Sequence, residues 1–206
     1  MPTRSTTTRA LRRDRAKPDV ASEPTLPDLL RKGLDVVFVG INPSLYSVAQ
    51  GHYFARRTNR FWPAFSRSAL SLAARHALGL DNLAPQHDRA LLALGFGFTD
   101  LAKRPSARAA ELSPAEFEAG VDDLASKLGR FVPRFACFHG LTAYRPVQRK
   151  LAPAGEVPSL GLQPLLIGRT RLFVVPNPSP ANAHFTPTDQ TGWYDRLDKE
   201  LAAGER

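Results

Sequence analysis

Val36-Val37-Phe38-Val39, four consecutive apolar residues between Asp35 and Gly40, constrains this chain more than any other segment. A strand with one wet face alternates apolar and polar side chains. A short unbroken run rich in β-branched residues is instead a strand covered on both faces, as in a parallel sheet. Phe135-Ala136-Cys137-Phe138, ending at His139-Gly140, has the same character. Leu165-Leu166-Ile167, a turn at Gly168, and Arg171 to Val175 read as a closing hairpin. Between these strands the apolar residues Phe61, Trp62, Phe65, Ala69, Leu72 and Ala73 recur at helical spacing, predicting one helix from Asn59 to about Ala77. Leu83 to Leu94 predicts another, stopped by Gly95. Ser113 with Glu116 forms a capping box that opens a helix to about Leu128, and Gly192 to Ala203 is a terminal amphipathic helix. Ile41 to Thr58, with Pro43, Ser44 and Gly51, reads as a loop. The class is α/β, a mostly parallel sheet between helical layers.

With 206 residues and 43% hydrophobic content, the chain can bury one domain-sized core, here residues 26–206. No apolar run approaches the roughly 18 residues of a membrane span, and the N-terminus lacks an apolar signal core. The expectation is an intracellular protein, cytoplasmic or nucleoid-associated, with no membrane partner. A single cysteine, Cys137, excludes an internal disulfide framework and any four-cysteine metal site. It sits inside an apolar run, as a core residue does. The formal charge is +9, which points to an anionic partner, nucleic acid above all. Much of that charge lies in Arg4, Arg9, Arg12, Arg13, Arg15 and Lys17, against only Asp14 and Asp19. Residues 1–25 therefore read as a basic, disordered arm. It is either a DNA-contacting arm, a solubilising tail or a targeting peptide.

In open α/β sheets ligands sit beyond the carboxyl ends of the strands. Gly40-Ile41-Asn42-Pro43-Ser44 follows the first strand directly. The glycine lets backbone approach a ligand and the proline stiffens the turn, so Asn42 is aimed from the sheet edge. Its amide can hold a water and a polar base together; the plainer alternative is an Asx turn before proline. Pro176-Asn177-Pro178-Ser179-Pro180-Ala181-Asn182 ends the last strand in almost the same way. Gly97-Phe98-Thr99-Asp100 adds a carboxylate between them, which is either catalytic, a helix cap, or a partner for Lys103 or Arg104. No dinucleotide or phosphate-loop glycine pattern occurs, and the five histidines show no metal-ligand spacing. No metal or other cofactor is indicated.

Val36–Pro63, with Gly40-Ile41-Asn42-Pro43, Phe54-Ala55 and Asn59-Arg60-Phe61-Trp62, resembles the first motif region of the mismatch-specific uracil/thymine DNA glycosylases, part of the uracil-DNA glycosylase superfamily. Pro176-Asn177-Pro178-Ser179 resembles their second motif, and Gly97 to Leu101 with Arg104-Pro105 an intervening segment. The resemblance runs over roughly Leu34 to Leu201. It implies a three-layer α/β/α sandwich and a monomeric, cofactor-free hydrolase. That enzyme cleaves the N-glycosidic bond of uracil, chiefly in G:U mismatches, with thymine or damaged pyrimidines as further candidates. The DNA partner is double-stranded, with single-stranded DNA as a second candidate. By resemblance, Asn42 positions the hydrolytic water; the family varies at Asp100, whose role as a base that steadies the cationic sugar follows from carboxylate chemistry. Gly40, Ile41, Phe54, Ala55, Asn59 and Asn177 hold the extruded base. Ser44, Ser47, Ser179, Pro180, Ala181, Asn182 and His184 meet the DNA. Ser44 stands where close relatives often carry glycine, and Ala181 where a bulkier wedge is found.

A rival from another class is a non-catalytic nucleic-acid-binding module on the same scaffold. Asn42 separates the two, since a binding module has no need of an amide aimed at a glycosidic carbon.

Overall fold

The computed structural model describes residues 24–182 and 184–204, so nearly all of the expected basic arm lies outside them. Five strands form one sheet: β1 (Val36–Gly40), β2 (Phe96–Asp100), β3 (Phe135–His139), β4 (Gly161–Ile167) and β5 (Thr170–Val175). Their order is β2-β1-β3-β5-β4. β1 runs parallel to β2 and β3, β3 parallel to β5, and β4 antiparallel to β5. The mostly parallel sheet expected from the apolar runs is therefore present.

The alternation of side chains along β1 explains the layers. Val36 and Phe38 point to one face, where they join Phe61, Trp62 and Phe65 of helix α2 (Phe61–Arg67). Ala74 of α3 (Leu72–Leu78), Leu91 of α4 (Asp88–Ala93) and Tyr194 and Leu197 of α7 (Pro187–Ala203) complete that cluster. Val37 and Val39 point to the other face. There they meet Val121, Leu124 and Leu128 of α5 (Pro114–Phe131) and Ala143, Tyr144 and Val147 of α6 (Leu141–Leu151). Phe38 is completely buried, with ring centroids of Phe61, Phe65 and Phe98 at 5.1, 5.3 and 5.4 Å. Truncating such a residue costs about 3–5 kcal/mol.

Several expectations needed adjustment; the terminal helix expected from Gly192 already starts at Pro187, and the first strand of the closing hairpin starts at Gly161 rather than Leu165. The single helix expected over Asn59–Ala77 is broken at Ser68, whose extended backbone (φ −81°, ψ 156°) lets its hydroxyl donate to the Phe65 carbonyl at 2.7 Å. Serine competes with helical backbone bonding in this way, and apolar periodicity alone does not register it. The loop expected over Ile41–Thr58 contains α1 (Leu45–Gln50), capped by Ser44 Oγ, which accepts from Ser47 N at 3.1 Å. Because Leu45 and Tyr46 are exposed, this helix carries no amphipathic signal. α6 was not expected, and Pro146 inside it is what conceals it. The capping box of α5 is present, Glu116 returning to Ser113 N at 2.8 Å.

Both sheet edges are interrupted. Leu29 exchanges two 2.9 Å backbone hydrogen bonds with Phe98 at the outer side of β2. β4 contains Pro164, and its pairing with β5 shifts register between Leu162 and Leu166. Among the described residues, no helix is long and apolar enough to cross a membrane.

Candidate active site

The strand order places β1 between β2 and β3: the chain leaves β1 to one side for β2 and then crosses back over it to β3, and at this reversal a crevice opens beyond the carboxyl ends. A cleft of about 470 Å³ occupies it. Gly40, Ile41 and Asn42 enter from β1, Asp100 from β2, His139 from β3, and Asn177 from the loop after β5. Ser44, Ser47, Phe54, Asn59, Ser179, Pro180 and Ala181 also border it. Ala55 is not among the lining residues: it is buried, its N donating to Ser47 Oγ at 3.3 Å. Asn182, also not among the lining residues, donates its Nδ2 to the Asn177 carbonyl at 3.0 Å, and His184 borders a separate cavity with Trp193 and Arg196.

Asn42 is held by its nitrogen. Nδ2 donates to the carbonyls of Pro43 (3.3 Å) and Arg104 (3.1 Å) and to Ser106 Oγ (2.8 Å). Carbonyls only accept, so the amide orientation follows from chemistry. Oδ1 receives no donor from the described residues and is the acceptor left for the cleft. The holding loop is itself fixed: Ser106 Oγ donates to the Arg108 carbonyl at 2.8 Å, and Arg104 Nε pairs with Glu116 at 2.6 Å. Asn42 is therefore no Asx turn. Asn177 is one, its Oδ1 accepting from Ser179 N at 2.9 Å, and Asn59 does the same for Phe61 N.

Asp100 is only 5% exposed, and its Oδ2 has no hydrogen-bond partner. Burial pushes its carboxyl up to about 7; Lys103 opposes that shift and Asp28 adds to it. The cations named as its possible partners are engaged elsewhere, Lys103 with Asp28 at 2.8 Å and Arg104 with Glu116. Gly40 makes room for it, because a Cβ there would lie 2.2 Å from Asp100 Oδ1. A buried, unpartnered carboxyl titrating near neutrality, beside an unsatisfied amide oxygen, is equipped to accept a proton from water.

Phe54 supplies the apolar wall. Its ring stacks on Phe61 at 4.3 Å and 18°, with His139 edge-on at 4.9 Å. The backbone adopts φ +52°, a left-handed conformation unfavourable for a bulky side chain and typical of functional loops. The preceding loop is anchored by Asp88, whose carboxylate accepts from Tyr53 N at 3.0 Å and meets His52 Nδ1 at 3.1 Å.

His139 is 2% exposed, and burial pulls its pKa down to about 3, the Val39 backbone only partly offsetting this. Gln190 Nε2 donates to the Pro176 carbonyl (3.0 Å) and to Tyr194 Oη (3.4 Å), leaving the Tyr194 hydrogen for His139 Nε2 at 3.0 Å. The neutral ring then carries its own hydrogen on Nδ1, where the Val39 backbone approaches without completing a hydrogen bond. Sequence reasoning noted His139 at a strand end but assigned it no role. Ser106 and Arg108, which also reach the cleft, carry no recognisable motif. Cys137 is buried, and burial raises its thiol pKa, so it has no nucleophilic character. Among the described residues, no cluster of three or more His, Cys, Asp or Glu could hold a metal ion.

The Uracil DNA glycosylase superfamily model matches residues 27–198. The chain belongs to that superfamily. A DNA-glycosylase role on a DNA partner follows from the membership. Among solved structures, it is similar to the solution NMR structure of a Methanosarcina acetivorans protein provisionally described as a uracil DNA glycosylase. The TM-score is 0.50 at 20% identity, covering 84% of this chain and 97% of that one. At this identity the likeness concerns the fold, and it agrees with the α/β/α layering of the superfamily chain described here.

Proposed function

We propose that this superfamily member hydrolyses the N-glycosidic bond of uracil in DNA, chiefly in G:U mismatches, and leaves an abasic site. The observation that carries the reading is Asn42. Its amide nitrogen is tied down by three acceptors while its oxygen stays free in the cleft that also contains Asp100.

A base inside a duplex must leave the stack before its glycosidic carbon is reachable, at a cost of a few kcal/mol, least for a mismatch. Phe54 offers the extruded pyrimidine a flat apolar surface, and Asn59 and Asn177 border the same space. His139 also lines the cleft, and its Nδ1–H, which the Val39 backbone supports only weakly, is a donor that a base carbonyl would complete; being neutral it adds no charge. As the bond between C1′ and the base nitrogen lengthens, negative charge gathers on the base oxygens and positive charge on the sugar. A donor aimed at the base then binds the transition state better than the ground state. Asn42 Oδ1 accepts from the attacking water and orients it. The water oxygen bonds C1′, its proton passes to ionised Asp100, and the base departs with the bonding electron pair. Ser179, Pro180 and Ala181, at the cleft, would meet the space the base vacates, and Ser44 and Ser47 border the same cleft. The protein acts as a monomer on genomic DNA inside the cell, with residues 1–25 adding non-specific phosphate attraction.

The test is single-turnover release of uracil opposite guanine, opposite adenine and in single strands, with Asn42→Ala as the control. Release fastest opposite guanine and lowered at least about a hundredfold in the variant is the expected result. Tight duplex binding with no release by the unmodified chain would leave the binding-module reading instead.

A further inference from the structure

One side chain outside the cleft holds the DNA-facing loop from behind. Arg60 opens α2, next to the Phe61 ring that carries Phe54. Its Nη2 donates to the carbonyls of Ser179 at 2.8 Å and Asn182 at 2.6 Å, and its Nη1 to the carbonyl of Phe185. Its backbone N donates to the Pro178 carbonyl at 3.0 Å. One residue thus gathers four carbonyls from a single loop. Among the described residues the loop is otherwise stitched locally, by Asn182 Nδ2 on the Asn177 carbonyl (3.0 Å), Ser179 N on Asn177 Oδ1 (2.9 Å), Asn182 N on the Ser179 carbonyl (3.0 Å) and Ala181 N on Ser179 Oγ (3.4 Å). Among the described residues, no carboxylate pairs with Arg60, so its guanidinium is spent wholly on backbone oxygens.

We infer that Arg60 is a positioning residue that locks the loop from Pro178 to Phe185 to the base-stacking wall, so that loop and wall enter a duplex as one rigid body. This rests on the glycosylase reading above. The physical need is specific to this chain. Ala181, where this loop borders the cleft, is too small to displace a stacked base by bulk. A small wedge works only if it cannot retreat, and loop carbonyls turned inward onto a planar fork of donors prevent retreat. A flexible loop would have to be ordered at each encounter, and that ordering would consume binding free energy. The requirement applies to duplex DNA, where a base must be expelled, and hardly to a single strand, where it is already free.

The experiment compares full-length wild type with Arg60→Ala, Arg60→Gln and Arg60→Lys. Single-turnover release is measured on duplex uracil opposite guanine and on the same strand alone, and hydrogen exchange is followed at the amides of Ser179, Ala181 and Asn182. The expected result is faster exchange in all three variants and a duplex-to-single-strand rate ratio lowered about tenfold or more, the scale of a misplaced active-site group. Lys restores little, since a point charge cannot span three carbonyls. Equal losses on both substrates with a lowered Tm make Arg60 merely structural and overturn the inference. So does unchanged exchange, or an unchanged ratio in any variant that folds. If wild type releases base from neither substrate, the glycosylase reading itself falls, an outcome distinct from a normal wild type with an indifferent Arg60.

Discussion

Gly40 and Asp100 are direct partners across the β1–β2 pair, and a Cβ on Gly40 would stand 2.2 Å from Asp100 Oδ1. No side chain can be added at Gly40 without moving the carboxylate. Gly40→Ala is expected to destabilise the fold by about 1–3 kcal/mol, the usual cost of overpacking, and to depress uracil release by displacing the carboxylate. In the double variant Gly40→Ala/Asp100→Gly, stability should return while activity does not. A thermal-melt cycle with single-turnover rates checks this; additive stability losses would mean the two residues do not touch.

Asp100→Asn keeps shape and removes ionisation. Wild-type single-turnover release should show an acidic limb with an apparent pKa near 7, since burial raises the carboxyl to about 7 and the ionised form is the base. His139 stays neutral above about 3 and contributes no limb of its own in that range. The variant should be slow and lack the limb. A limb that persists in Asp100→Asn assigns it to another group.

The same shift has a stability consequence of definite sign. A carboxyl raised from 3.8 to about 7 in the folded state makes native protein hold a proton that the unfolded chain has released. Its favourable contribution is complete below about 4 and disappears as pH rises through 7. Asp100→Asn should therefore melt higher than wild type at pH 8, with the gap closing towards pH 4. Matched melts across that range are the measurement.

Asn42→Ala should leave duplex binding nearly intact and lower release by about 10² to 10⁴. A loss below about tenfold, roughly 1.4 kcal/mol of barrier, would reject the water-positioning role. Ser106→Ala removes one of three acceptors on Asn42 Nδ2 and should cost less, about tenfold, in kcat rather than in KM. A Ser106→Ala enzyme with normal kcat would show that the two carbonyls suffice.

Deleting residues 1–24 should flatten the dependence of duplex affinity on salt without changing the single-turnover rate at saturating enzyme. Binding titrations at several ionic strengths decide it. An unchanged slope assigns the arm to solubility or targeting.

The parts of the site that follow an apolar run were legible in the sequence. Asn42, Asp100 and Asn177 each sit at or just after a buried strand, and strand ends converge in any parallel sheet. The residues that hold those groups were not. Ser106 reaches Asn42 from 64 positions away, and Arg60 reaches Asn182 from 122, with no local pattern to announce either. The two Asn-Pro-Ser turns look alike in sequence, yet Asn177 spends its oxygen on its own loop while Asn42 keeps its oxygen free. The difference lies in the acceptors brought up by the Arg104–Arg108 segment, a tertiary fact. Ser68 and Pro146 misled for the opposite reason, being local signals that packing overrode or reinforced against the apolar period.

The interrupted sheet edges bear on how such a protein shares a duplex with copies of itself. A bare edge strand is a template, a continuous row of amide and carbonyl groups awaiting another chain. Here the Leu29 segment occupies one rim, and Pro164 with a broken register spoils the other. Both rims therefore offer neighbours crowded on the same stretch of polyanion a shorter, less regular ladder than a bare edge strand would.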